Sequence, residues 1–335
     1  MLGPQVPGAR PSKENEVAQG DPLHADARHR HAGSDGAATP MPSPVSRFRA
    51  WWAGVRFASL SASAVAVLVG TAASRPLHLE HPLAFVAALV AAMLIQIGAN
   101  VANDAFDYRS GADSPDRLGP RRLVLSGAVS PREALIGAAV LFGIAALLGL
   151  YLIWVGGWLI LVVGVLSIAS GVLYTGGPWP LGYHGLGDVF TFVFFGPVGV
   201  VGSAYLQTLN VGTAPVLASI PVGFLITAIL VVNNLRDIDT DRLVGKMTLA
   251  VRMGRRATRL QYAVLVLGAY LMLPVIWLAL HRSPLVLLPW VTLPLAVRSV
   301  RGVAIGEGPA LNVMLKRTGQ LTLLFGVVFA LGLWI

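Results

Sequence analysis

NNLRDIDTDRLVGKMTLAVRMG, residues Asn233–Gly254, follows an apolar run from Pro215 to Val232 and decides how the rest of the chain is read. It sets Asp237, Asp239 and Asp241 beside Arg236, Arg242 and Lys246 at the end of a hydrophobic helix. Charge at that density is costly there unless something binds. On a helix, Asp237 and Asp241 stand one turn apart on one face, so their carboxylates can converge on a single hard cation. Lys246 and the arginines are then donors for an anion that the cation bridges. The pattern asks for a metal-bound phosphate or pyrophosphate at a membrane surface.

A second stretch, GANVANDAFDYRSGADSPDRLGPRR at Gly98–Arg122, repeats the arrangement. Asn103 and Asp107 form the one-turn pair, Asp104 lies beside them, and Asp113 and Asp116 follow in a glycine-containing loop with Arg109 and Arg117. This stretch also ends a long apolar run. Two such helix ends suggest one site assembled from two halves, with a helical bundle closing around its ligand.

The composition fits that picture. Hydrophobic residues make up 55% of the 335, charged residues 12%, and the mean hydropathy is +0.69. Soluble domains carry about twice that charged fraction. Apolar runs near the ~20 residues needed to cross a bilayer recur along the chain. The fold class is therefore all-α, a polytopic membrane bundle, because backbone polar groups cannot face lipid unpaired.

Nine spans are expected, at about 52–73, 82–104, 134–153, 155–174, 187–206, 214–234, 260–280, 284–300 and 318–335. The pair flanking Gly156 and Gly157 also reads as one kinked helix. Spans two and six look like matching elements of related halves. Residues 1–46, rich in Gly, Pro, Ala, Ser, His and charge, read as a disordered tail ahead of a transmembrane domain over 47–335. The net charge of +9 fits loops held in the cytoplasm by Lys and Arg better than nucleic-acid binding.

The basic residues set the topology. One face receives Arg109, Arg117, Arg121, Arg122 and Arg132, then Arg236 through Arg259, then Arg298, Arg301, Lys316 and Arg317; the other receives Arg75 and Arg282. That places the N-terminus and both acidic motifs in the cytoplasm and the C-terminus outside. Four spans separate the motifs, which returns them to one face.

Metal binding accounts for Asn103, Asp107, Asp237 and Asp241 better than a solvated cap of charges does. Magnesium suits a few carboxylates completed by substrate phosphates and water. Zinc is disfavoured, because neither cluster holds His or Cys. Arg117, Arg236, Arg242 and Lys246 are the phosphate donors beside the acids, whereas Arg255, Arg256 and Arg259 read as topology determinants. Arg56, inside the first span, either faces a cavity or snorkels to the interface. Between spans four and five, YTGGPWPLGYHGLGD at Tyr174–Asp188 is a turn-rich loop. It either anchors the interface or offers Tyr174, Tyr183, His184 and Asp188 to a ligand.

At these residues the chain resembles the UbiA-type membrane prenyltransferases over about residues 47–335. Within the family it is most similar to the type that prenylates 1,4-dihydroxy-2-naphthoate in menaquinone synthesis. The resemblance implies metal and diphosphate binding at Asn103, Asp107, Asp113, Asp237 and Asp241, and diphosphate contact at Arg117 and Lys246. It places Arg56 at the family's first-helix arginine, although Phe57 follows where the family pattern has proline.

The implied reaction is magnesium-dependent transfer of a polyprenyl group from its diphosphate to the naphthoate, losing carbon dioxide and giving demethylmenaquinone. Asp107, Asp237, Asp241 and Lys246 would carry the catalysis, with Asp188 and Tyr174 as candidates for taking the acceptor proton. The implied setting is a bacterial inner membrane. Alternatives are a family member acting on 4-hydroxybenzoate or homogentisate, a membrane phosphotransferase, and a transporter. A transporter site would lie nearer the midplane.

Overall fold

Helix α8, Thr213–Arg236, is the axis of the bundle: 67% of its most apolar 18-residue window is buried, the largest share of any span. A computed structural model of the chain describes residues 46–74, 79–113, 119, 122–281 and 283–335. Residues 1–45 of the expected tail and Arg117 lie outside the described residues.

The described residues are mostly helical, with the longer connections after Arg109 and after Leu173. The helices run in the order α1 (Arg47–Val55), α2 (Phe57–Ala73), α3 (Pro82–Arg109), α4 (Pro131–Gly156) and α5 (Trp158–Leu173). After a 3-10 turn at Leu181–His184 come α6 (Gly187–Val193), a π-helical segment Phe194–Val201 and α7 (Gly202–Thr208). Then follow α8, α9 (Ile238–Leu243), α10 (Leu249–Leu280), a 3-10 segment Pro284–Thr292, α11 (Leu293–Ile305) and α12 (Ala310–Trp334).

Each expected span has a helical counterpart. Among the described residues, seven are long and apolar enough to cross a bilayer, or eight if the bent pair α1 and α2 acts as one span. The expectation of nine counted α5 as well, which has 16 residues. At 1.5 Å per residue it reaches about 24 Å, short of the ~30 Å hydrocarbon core. Gly157 (φ 70°, ψ −160°) separates α4 from α5, so the stretch is two helices and not one kinked helix.

Local chemistry sets the boundaries. Pro131 opens α4 behind a capping box in which Ser130 and Glu133 bond reciprocally. Pro82 opens α3. Close approach decides the packing: a Cβ at Gly70 on α2 would come 2.1 Å from the Val200 carbonyl oxygen of the π-helical segment. Pro197 sits inside that segment, where the missing N–H favours the wider turn.

The main core joins α2, α8, α10 and α12 through Val69, Leu225, Tyr262 and Phe325. A smaller core binds α1, α3, α4 and the loop at Leu123–Val129. A cavity of about 850 Å³ is walled on one side by Ala62, Ala66 and Ile226 of the main core and on another by a third cluster that includes Val67, Ala88, Leu152 and Leu206.

Candidate active site

The cavity reaches along α3 from Ala88 to Asp107, about 28 Å at the helical rise. Ala88, Ile153, Leu161, Phe195, Val198 and Leu206 make much of its wall apolar. Its polar lining includes Asn103, Asp107, Arg122, Asn233, Arg236 and Lys246. The two acidic motifs thus meet at one cavity.

The α3 motif is built around Arg122. Its guanidinium bonds to Asp107 and lies 3.1 Å from Asp113 and 3.5 Å from Asp104. Asp104 also takes the Leu123 backbone N–H at 3.1 Å and pairs with Arg56. Asp104 therefore fastens the loop and the α1–α2 junction, while Asp107 faces the cavity. Asn103 accepts a hydrogen bond from Thr175 Oγ1 at 2.6 Å. Arg56 lines the cavity from a left-handed backbone, φ 52° and ψ 66°, a conformation that costs a non-glycine residue about 1–3 kcal/mol. Phe57 packs against Trp52 across the bend, ring centres 4.8 Å apart and the planes tilted by 54°.

In the second motif Asp237 caps the junction of α8 and α9, and the Asp241 N–H bonds its carbonyl at 2.8 Å, preserving the one-turn spacing. Gly245 at φ 72° turns the chain back, and the Lys246 N–H bonds the Asp241 carbonyl at 2.8 Å. Lys246 Nζ then stands 3.8 Å from Asp107 and 3.8 Å from Asp241, linking the two halves. Asp239 instead faces Arg255 at 2.6 Å on the outside.

The turn-rich loop closes over this junction. Tyr183 donates to Asp107 Oδ1 at 2.9 Å, its ring lies 5.3 Å from Lys246 Nζ, and its carbonyl accepts the Met247 N–H at 3.0 Å. Tyr174 lines the cavity, and burial pushes its phenol well above the ordinary range. His184 stacks on Trp179 at 4.1 Å instead of facing the cavity.

Five expected site residues do not line the cavity: Asp113, Asp237 and Asp241 are held beside it by Arg122, Arg236 and Lys246, and two more are placed elsewhere. Arg242 is exposed on α9 and does not line the cavity. Asp188 is buried behind the wall, accepting from Gln261 at 2.7 Å and Asn234 at 3.4 Å. Sequence reasoning passed over Arg122 and Asn312 as site residues, and named Tyr183 only among the groups the loop could offer. Arg122 was legible only as one basic loop residue among several, and Asn312 carried no signal.

Burial, with repulsion from Asp237 and Asp107, pushes the Asp241 carboxyl up to about 6 against the pull of Lys246. Burial likewise lifts Asp113 to about 6, opposed by Arg122. Crowded, oxygen-only donors of this kind fit a hard divalent cation that would relieve their repulsion. Among the described residues no three acids or histidines converge into a complete metal site, so substrate oxygens and water would have to complete the shell.

A multi-span membrane cavity with an apolar wall and a paired acid–base cluster is the site of an enzyme for amphiphilic anionic substrates. The chain belongs to the UbiA prenyltransferase family, whose model matches residues 63–307, and it is a prenyltransferase. It is 38% identical over 287 residues to the 1,4-dihydroxy-2-naphthoate octaprenyltransferase of Mycobacterium tuberculosis, covering 85% of this chain and 97% of that one. Identity is also 38% to the Escherichia coli protein of that name, over 87% of this chain and 97% of the relative. The fold is shared with a UbiA homolog from Archaeoglobus fulgidus solved with DMAPP and Mg2+: TM-score 0.61, 14% identity, 85% of this chain and 98% of that chain. Family membership sets aside the transporter and phosphotransferase readings.

Proposed function

We propose that the chain transfers a polyprenyl group from an allylic polyprenyl diphosphate to 1,4-dihydroxy-2-naphthoate, with loss of carbon dioxide. The product is the quinol form of demethylmenaquinone. The observation that carries the reading is Lys246 standing 3.8 Å from an acid of each motif beside a long apolar cavity. The names of the bacterial relatives support the acceptor.

Asp107, Asp241 and Asp237, with Asn103 and Asp113, would hold magnesium. When bound, magnesium neutralises charge growing on the diphosphate as the allylic C–O bond breaks. Lys246, Arg122 and Arg236 line the cavity as donors for diphosphate oxygens, and Arg117 would add another from the neighbouring loop. The apolar wall houses the prenyl chain and keeps water from the allylic cation.

The ring carbon that bears the carboxylate attacks that cation. As the new C–C bond forms, the C–CO2 bond breaks and its electron pair restores the aromatic ring. Carbon dioxide then leaves in place of a ring proton, so this route needs no base at that carbon. That is consistent with Asp188 lying behind the wall, where it positions Asn234 and Gln261 and takes no part in proton removal. Tyr174, in the wall, is left as a contact for the ring or its hydroxyls.

The setting we infer is the bacterial inner membrane, with the site toward the cytoplasm, N-terminus in and C-terminus out. Purified protein in lipid discs, given magnesium, a polyprenyl diphosphate and each of three acceptors, tests the reading by product mass. Prenylated naphthoquinol with carbon dioxide release is expected. Efficient product from 4-hydroxybenzoate or homogentisate alone would move the chain to another branch of the family.

A further inference from the structure

We propose that Lys316 binds the carboxylate of the aromatic acceptor, an inference that rests on the prenyl-transfer reading of the cavity. Five cationic side chains line that cavity: Arg56, Arg122, Arg236, Lys246 and Lys316. Four of them face aspartates, Arg56 on Asp104, Arg122 on Asp104, Asp107 and Asp113, Arg236 on Asp237, and Lys246 on Asp107 and Asp241. Among the described residues, Lys316 has no such partner. Its own helix, α12, contains no Asp or Glu to supply one.

The position of Lys316 is set by its neighbour one turn earlier. Asn312 shares its face of α12 and accepts from Arg236 Nη1 at 2.8 Å, which ties this face to the second acidic motif. Asn312, Leu315 and Lys316 all line the cavity. A lysine stem can lie along an apolar wall while its ammonium reaches a polar partner.

The missing counter-charge indicates the ligand. Diphosphate with magnesium calls for acids and bases together, which the Asp107 and Asp241 region provides. A cation that pairs with none of the acids is matched instead by an anion that brings no metal. An aryl carboxylate is such an anion, and its flat ring suits the apolar surroundings. The same ammonium would also attract a bare diphosphate oxygen, so the test separates the two.

The full chain in lipid discs is titrated calorimetrically with 1-hydroxy-2-naphthoate and, separately, with magnesium pyrophosphate, for the wild type, Lys316→Met and Lys316→Arg. Loss of one charge-assisted contact weakens naphthoate binding about tenfold in Lys316→Met, with most of it kept in Lys316→Arg. Pyrophosphate binding stays within about twofold in both, which also reports that the variants are folded. Weakened pyrophosphate binding, loss of both ligands, unchanged naphthoate binding, or no naphthoate binding by the wild type would each overturn the proposal. The readout is independent of turnover. If the wild type binds the naphthoate through Lys316 but prenylates a different aromatic acid, the proposed acceptor fails while the carboxylate contact stands.

Discussion

Arg236 grips Asp237, the residue that follows it, through two hydrogen bonds, Nε to Oδ1 at 2.7 Å and Nη2 to Oδ2 at 2.6 Å. The same guanidinium donates to Asn233 at 2.8 Å and to Asn312 at 2.8 Å, so four of its five N–H groups are engaged while it is buried. A planar fork is needed to hold all three partners at once, which an ammonium cannot do. Arg236→Lys should therefore lower kcat/KM for the prenyl diphosphate by about tenfold or more. Steady-state kinetics against an unchanged acceptor KM would check it, and wild-type kinetics would refute the assigned role.

Asp107 lines the cavity, and Asp237, of the opposite motif, is held by Arg236, which lines the same cavity. Asp107→Asn or Asp237→Asn should each abolish detectable turnover while the protein remains folded in the membrane, since each removes a charge needed at the transition state. Product formation measured beside a thermal-unfolding profile separates lost chemistry from lost fold. Near-normal turnover by either variant would remove it from the site.

Lys246 stands between two carboxylates, Asp107 and Asp241, each 3.8 Å away. Lys246→Met leaves those acids to repel each other and takes a donor from the diphosphate. We expect a fall in kcat of about 100-fold or more. Raising magnesium should restore little of it, because the donor itself is gone. Full rescue by magnesium would show that the lysine only balances charge.

Tyr183 offers two separable contacts, a hydroxyl to Asp107 at 2.9 Å and a ring 5.3 Å from Lys246. Tyr183→Phe removes the first and keeps the second. A hydrogen bond to a charged group contributes about 1.5–3 kcal/mol, so activity should fall about 10- to 100-fold, and Tyr183→Ala should fall further. Equal activity of the Phe and wild-type proteins would leave only the ring contact.

Membrane sidedness is testable because the sequence contains no cysteine. Arg132 and Arg256 are exposed beside the two motifs, and Asn210 is exposed between α7 and α8. With single cysteines at these positions, an impermeant thiol reagent added to intact cells should label Asn210→Cys and spare Arg132→Cys and Arg256→Cys until the membrane is opened. The reverse pattern would turn the site to the outer face.

The helix-end pairs Asn103–Asp107 and Asp237–Asp241 were legible in the sequence, because one-turn spacing is a local property of 3.6 residues per turn. The apolar runs were legible for a similar reason, since the thickness of the bilayer sets their length. The number of crossings was less so: α5 is helical as expected, yet its 16 residues fall short of a full span. Tertiary structure alone decided which residues of distant segments share the cavity. Tyr183 reaches Asp107 across 76 positions and Asn312 reaches Arg236 across 76, while Asp188, in the same loop as Tyr183, points to Asn234 and Gln261 behind the wall. Spacing along one helix is fixed by backbone geometry, but contact between helices depends on how their side chains and glycines pack, and that information is spread over the whole chain.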